Sequence, residues 1–147
     1  MADVFDAAAY ILNLCDERGE LPITTWKLQK LVYYSQAWSL VWDDEALFPE
    51  EIQAWANGPV CPALYNQHRG RFKISELDSG DPDELDQDQK DTIEVVVEHY
   101  GDKSAQYLSE LTHQERPWKD ARQGLEPGER GQRVITLESM AEYYGGL

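Results

Sequence analysis

The segment LTHQERPWKDAR, residues Leu111 to Arg122, concentrates side chains that could do chemistry. His113 and Glu115 lie two residues apart, and a histidine oriented by a carboxylate is the arrangement of a general base. Covalent catalysis would also need a nucleophile beside that base. The sequence has no nucleophile elbow, and neither Cys15 nor Cys61 has a neighbouring histidine in sequence. We therefore predict no catalytic residue, and an enzyme that uses His113 and Glu115 stays as an alternative hypothesis.

Metal and cofactor chemistry would leave other signatures in the sequence. The three histidines, His68, His99 and His113, stand alone, and no Cys-x-x-Cys or His-x3-His pair supplies neighbouring ligands. The glycines are isolated, so no glycine-rich loop could hold a phosphate group. The sequence predicts no metal site and no cofactor.

The same segment also has a purely structural interpretation. The residue before Pro117 is pushed out of the α region, so one helix ends there and a second begins, with Trp118 buried at the corner. Thr112 and Glu115 have the spacing of a capping box, which predicts that both side chains satisfy backbone N–H groups. His113 would lie at a helix C-terminus, which favours a partly charged imidazole. We predict that this corner is structural.

The elements that position the corner are predicted to be mainly helical. Apolar residues at helical spacing predict an amphipathic helix over 4–17 and a central, nearly all-round apolar helix over 25–42, with Trp42 on its inward face. The segment 51–60 carries a turn at Asn57-Gly58-Pro59 and predicts at most a small β-hairpin. Further helices are predicted near 62–69, 89–101, 102–113, 117–124 and 135–147. The predicted fold is a compact, mainly α domain of six or seven helices.

Length and composition predict one domain over 1–147. The chain is 41% hydrophobic, which is typical of a globular protein, and its net charge is -15. Such an acidic chain is repelled by phosphate backbones, so we expect no direct nucleic-acid binding. Asp3 and Asp6 stand where a secretory signal needs positive charge, and no apolar run could span a membrane. We expect a cytoplasmic protein without a membrane partner.

The charges are unevenly distributed. The run 78–91, which includes Asp81, Asp83 and Glu84, holds seven acidic residues in fourteen, and Asp43-Asp44-Glu45 is a second acidic cluster. A solvated loop that leads into a helix N-terminus would explain the longer run. Basic residues are concentrated in 68–73 and 116–133. They could form a local positive patch that pairs with the chain's own acidic loops or with a partner.

Three segments in this order and spacing resemble the Panacea-domain family, which includes SocA-like antitoxins and GepA-like phage-associated proteins. They are TTWKLQKLVYYSQAW, IQAWANGPVCPALYNQHR and LTHQERPWKDAR, and the resemblance covers roughly Val4 to Tyr144. It implies a compact helical domain of bacteria, prophages and phages without catalytic residues. It also implies an antitoxin that neutralises a toxin encoded beside it, by direct masking or by delivery to a protease.

The family's recurrent positions fall on residues for which we predict two kinds of role. We predict a structural role for most of them: Leu28, Leu31, Trp55, Gly58, Pro59, Val60, Pro117 and Trp118. Partner binding is the prediction for Lys27, Lys30, His113, Glu115, Arg122, Asp81, Asp83 and Glu84, the last three from the variable acidic loop. Lys27 and Lys30 could instead bridge to an acid such as Glu115.

Three hypotheses follow for function. The first is an antitoxin that binds a cognate protein toxin, and a basic toxin would match the acidic surface. The second is an acidic mimic of nucleic acid that blocks a phage or host factor through 78–91 and Asp43-Asp44-Glu45. The third is the enzyme that uses His113 and Glu115. We predict the first.

Overall fold

The structure is a computed structural model that describes residues 2–147. Seven α-helices are formed within these residues. In chain order they are α1 (Val4–Glu17), α2 (Thr25–Trp42), α3 (Pro62–His68), α4 (Gln87–Tyr100), α5 (Ala105–Gln114), α6 (Arg116–Ala121) and α7 (Leu137–Gly145). A short 3-10 turn, Pro82–Glu84, precedes α4. The predicted mainly α fold is confirmed.

Helix α2 is the centre of the fold. The side chain of Thr24 accepts a hydrogen bond from the backbone N–H of Lys27 and so caps the helix start. Helices α1, α4, α5 and α7 all pack against α2. Leu28, Leu31 and Tyr34 are fully buried, as expected of a helix that is apolar on nearly all sides.

The strands are short and come from distant parts of the chain. Strands β2 (Ile52–Trp55) and β3 (Gly58–Val60) form the predicted hairpin, and β5 (Val134–Ile135) pairs with the other edge of β2. Strands β1 (Ile23–Thr24) and β4 (Lys73–Ile74) form a separate antiparallel pair. The structure thus has more strand than one hairpin, because strands of two residues are too short to show a sequence period.

Candidate partner-binding site

The corner between α5 and α6 is built around Glu115. Its backbone is extended, with φ -97° and ψ 143°, so α5 ends and α6 begins on either side of it. Its carboxylate points inward and accepts hydrogen bonds from the hydroxyl groups of Tyr34 (2.7 Å) and Tyr144 (2.8 Å). Burial raises the pKa of Glu115, although the two tyrosine hydrogen bonds act in the opposite direction. Glu115 therefore ties the corner to α2 and α7.

The predicted capping box at this corner is wrong. The hydroxyl group of Thr112 donates to the carbonyl of Ser109, and Glu115 gives its carboxylate to tyrosines. No side chain of residues 2–147 caps the start of α6. Two buried tyrosine hydroxyl groups need an acceptor. Because the Glu115 carboxylate accepts from both of them, it is not available to cap the helix.

Lys30 is buried beneath the hairpin turn, with no exposed side-chain surface. Its Nζ donates to the carbonyl of Pro59 (3.2 Å) and lies 5.2 Å from the centre of the Trp26 ring. Burial lowers the pKa of Lys30 to about 7. Within residues 2–147 no ion pair joins Glu115 to Lys27 or Lys30, so the proposed bridge to that acid is wrong. The Nζ of Lys27 donates instead to the carbonyl of Gly101, at the C-terminal end of α4.

Trp118 is the anchor of the corner. Its indole N–H donates to the carbonyl of Trp55 (2.8 Å), which attaches α6 to β2. The ring of His113 stacks on it at 4.0 Å with the planes 14° apart, and the guanidinium of Arg122 lies 5.2 Å from its centre. Burial, then the positive charges of Lys30 and Arg122, lower the pKa of His113. The expectation of a partly charged imidazole is therefore wrong, because burial and the two neighbouring cations favour the neutral ring.

Arg122 is only 5% exposed and binds backbone rather than carboxylates. It donates to the carbonyl of Ala54 on β2 and to the carbonyls of Glu126 and Glu129 in the following loop. A guanidinium presents several donors in a fixed plane, which suits this set of acceptors. Arg122 thus holds the 126–129 loop against the hairpin.

The corner motif is accordingly a set of internal contacts. Lys30, Glu115 and Arg122 are buried, whereas His113 is half-buried against Trp118. The proposed partner surface therefore does not include these four side chains. Leu28, Leu31, Gly58, Pro59 and Pro117 are buried, and Trp55 is half-buried.

The acidic run is anchored to the body of the protein. The backbone N–H of Asp81 donates to the carboxylate of Asp6 on α1 (2.8 Å), and the Asp81 side chain caps the 3-10 turn. Leu85 is 5% exposed and belongs to the core. Asp81, Asp83 and Glu84 remain exposed between these anchor points. The run therefore presents its carboxylates from a fixed backbone.

The structure brings the two acidic segments of the sequence together. The loop after α2 and the segment before α4 face each other across two adjoining pockets of about 280 and 350 Å³. The carboxylates of Asp43, Glu45, Glu84, Asp86 and Asp88 line them, and no lysine or arginine within residues 2–147 does. We call these five residues and the space between them the acidic groove. Both segments are visible in the sequence, but no sequence pattern predicts that they meet, since they are about forty residues apart.

Trp42 forms one wall of the acidic groove. Its side chain is 48% exposed and stacks on Trp38, with ring centres 4.9 Å apart. The expectation that Trp42 faces the core is wrong: as the last residue of α2, it leaves about half of its side chain in contact with solvent. The hydroxyl group of Thr92 donates to the carboxylate of Asp43 (2.7 Å) and fixes the end of α2 to α4. Exposed aromatic and acidic side chains together suit an interface with a basic partner.

The fold and these surfaces define a small, mainly α-helical domain with an apolar core that includes several buried polar side chains, and with an acidic face. Residues 28–119, more than half of the chain, match the family described as antitoxin SocA-like, Panacea domain. The chain belongs to this family, and the resemblance seen in the sequence is confirmed.

A curated relative gives a weaker similarity. The periplasmic trehalase of Salmonella newport (strain SL254) is 28% identical over 105 residues, which is 71% of this chain and 16% of the trehalase. The chain thus spans only a small part of that relative's length. No solved structure matches the chain. None of the helices within residues 2–147 is long and apolar enough to cross a membrane.

Proposed function

We propose that this chain is the antitoxin of a toxin–antitoxin pair and that it neutralises a cognate protein toxin encoded nearby. Membership of the antitoxin SocA-like family carries the proposal. Neutralisation occurs by direct masking of the toxin or by its delivery to a protease. In either case the chain must first recognise the toxin through a surface.

The acidic groove is the surface that we assign to the toxin. Among the described residues, five carboxylates and no lysine or arginine line it, so its field attracts cations and accelerates the encounter with a basic protein. Trp42 offers an exposed ring on which a lysine or arginine of the toxin can lie. Asp81 and Asp83 extend the negative surface next to Glu84. A basic segment of the toxin would fill the groove.

Co-expression with the adjacent open reading frame tests the antitoxin role. We expect the neighbour to arrest growth alone and this chain to restore growth. Co-elution of the two proteins would support masking, whereas rescue with rapid toxin turnover would support delivery to a protease. A neighbour that is harmless alone would contradict the toxin–antitoxin assignment.

A charge-reversal variant tests the acidic groove. Glu45→Lys, Glu84→Lys and Asp88→Lys change exposed groove side chains that make no side-chain hydrogen bond among the described residues. The triple variant should lose rescue and toxin binding while it stays folded by circular dichroism. The matched control is Glu17→Lys, Glu76→Lys and Glu138→Lys, three exposed residues that give the same net charge outside the groove. If both triple variants lose rescue and toxin binding equally, the loss results from net charge and the groove is not the binding site.

One observation favours the acidic mimic of nucleic acid as a second candidate. The exposed face of α4 carries Asp88, Asp91, Glu94 and Glu98 at spacings of three or four residues. Side chains at this spacing form a row of negative charge along one helix face. The mimic would bind a nucleic-acid-binding factor, and DNA or RNA would compete with the chain for it. If added oligonucleotide does not displace the chain from its complex with the toxin, this candidate is contradicted.

No observation favours catalysis by His113 and Glu115. The carboxylate of Glu115 is held by two tyrosines in the core, and the imidazole of His113 stacks on Trp118. The trehalase similarity brings no separate proposal, because it covers a small part of that enzyme.

A further inference from the structure

A second surface, distinct from the acidic groove, gathers basic and aromatic side chains. Trp26, at the start of α2, lines two pockets of about 260 and 310 Å³. One pocket also contains Trp55 and Arg130, and the other contains Tyr65, Arg69, Arg71 and Phe72. We call Trp26, Trp55, Tyr65, Arg69, Arg71 and Arg130 the basic–aromatic groove. The two basic segments of the sequence, 68–73 and 116–133, thus meet on either side of Trp26.

The charges of this groove are available to a ligand. In the described part of the chain, no carboxylate lines either pocket. Arg69 and Arg130 are exposed and make no ion pair within residues 2–147. Arg71 has one distant partner, Asp78, at 3.7 Å, and both side chains are well exposed, so this pair contributes little stability and is easily exchanged. The Nζ of Lys30 lies beneath the groove, 5.2 Å from the centre of the Trp26 ring.

Apolar surface accompanies the charge. Phe72 is 67% exposed at the rim, an unusual position for a phenylalanine on an otherwise polar loop. Trp26 and Tyr65 are half-buried, so each shows part of a ring to solvent and is fixed by packing below. Rigid, partly buried aromatic rings beside arginines are the composition of protein–protein interface cores.

The arrangement of the aromatic rings favours a peptide ligand over a nucleic acid. Single-stranded nucleic acid binds where successive aromatic faces serve as stacking platforms. Trp55 and Tyr65 instead meet edge to face, with centres 5.0 Å apart and planes at 66°, so neither offers an open face in series with the other. A polyanion longer than the groove would also meet the acidic body of a chain with net charge -15. A short acidic peptide segment would fit within the groove and would not meet the acidic body of the chain.

We propose that the basic–aromatic groove binds an acidic peptide segment of a partner protein, whose carboxylates pair with Arg69 and Arg130 and whose apolar side chain packs on Trp26. This partner is opposite in charge to the toxin proposed for the acidic groove. The chain therefore has two surfaces for two kinds of partner. The second does not depend on the antitoxin assignment.

Fluorescence anisotropy with a defined probe tests the proposal. The probe is a fluorescein-labelled peptide of alternating Glu and Phe, titrated with the intact chain. We expect saturable binding that Arg69→Glu with Arg130→Glu weakens about tenfold or more, because each reversal replaces attraction by repulsion. The matched control, Arg116→Glu with Lys119→Glu, alters exposed residues of α6 to the same net charge outside the groove. It should bind the probe within about twofold of the unaltered chain.

Four results would overturn the proposal. The first is that the probe does not bind, and the second is that both double variants weaken its binding equally. The third is that a uridine oligonucleotide binds more tightly than the probe and displaces it. The fourth is that the chain self-associates in sedimentation in a salt-sensitive way and that Arg69→Glu with Arg130→Glu abolishes this association. The third would assign the groove to nucleic acid and the fourth to a second copy of this chain. The growth-rescue assay tests the acidic groove and the anisotropy assay tests the basic–aromatic groove. A negative result for one groove therefore does not affect the proposal for the other.

Discussion

Gly58 and Lys30 fit together so closely that any side chain at position 58 would collide with the lysine. A Cβ at Gly58 would lie 2.6 Å from Cε and 3.2 Å from Nζ of Lys30. The φ of Gly58 is +126°, which L side chains rarely adopt. The turn of the hairpin is thus shaped to cover a buried lysine.

Gly58→Ala should therefore destabilise the fold by about 2–4 kcal/mol, from backbone strain and from the contact with Lys30 together. Urea denaturation followed by circular dichroism measures the loss. Gly124→Ala is the matched control, since Gly124 also has positive φ (+91°) but a Cβ there meets nothing within 4 Å. It should cost about 1 kcal/mol. Equal costs at the two positions would contradict the tight contact at Lys30.

The buried ammonium of Lys30 should make stability depend on pH. Its pKa is about 7 in the folded chain, below its value in the unfolded chain. Between pH 7 and about 10 the unfolded chain holds a proton that the folded chain has lost, so stability rises with pH over this window. Below pH 7 the cost of the buried charge is fully present.

Lys30→Met removes that cost and keeps a similar volume. We expect the variant to be more stable than the unaltered chain at pH 6, with a difference that shrinks towards pH 9. Thermal unfolding at the two pH values measures it. A lower melting temperature at pH 6 would mean that the hydrogen bond to Pro59 and the contact with Trp26 outweigh desolvation.

Sequence patterns predicted those elements that local physics determines. Helices α1 and α2 begin and end as their apolar spacing predicts. Asp86 and Gln89, three residues apart, form a capping box at the start of α4. The turn at Gly58 was also visible. These features depend on neighbours within a few residues, which one sequence displays.

Contacts across the fold could not be predicted in this way. Strand β5 pairs with β2 from about eighty residues away, and its two residues carry no period. The inward turn of Glu115 depends on Tyr144, a residue of α7 with no local link to the corner. The acidic groove depends on the packing of α2 against α4. In each case the partner that determines the structure is distant in sequence. For this reason the capping box that local spacing predicts at Glu115 is not formed.

Glu115 should be replaceable by glutamine but not by alanine. The hydroxyl groups of Tyr34 and Tyr144 both donate to its Oε1, and the Tyr144 hydroxyl also lies 3.0 Å from that of Tyr33. Glu115→Ala would leave buried hydroxyl groups without an acceptor and should cost about 3 kcal/mol. Glu115→Gln keeps an acceptor oxygen and should cost about 1 kcal/mol. Amide hydrogen exchange should show the loss first in α7, and faster exchange confined to α5 would contradict this role.

Arg122 should not tolerate lysine, although the charge is conserved. Its guanidinium donates to three backbone carbonyls, from Ala54, Glu126 and Glu129, and lies over the ring of Trp118. A lysine cannot reach all three from one plane, so Arg122→Lys should cost about 2–3 kcal/mol and release the 126–129 loop to proteolysis. Limited trypsin digestion at Arg130 measures the release. Arg116→Lys, at an exposed arginine at the start of α6, should change neither stability nor cleavage. An Arg122→Lys variant that behaves like Arg116→Lys would show that other contacts hold the loop.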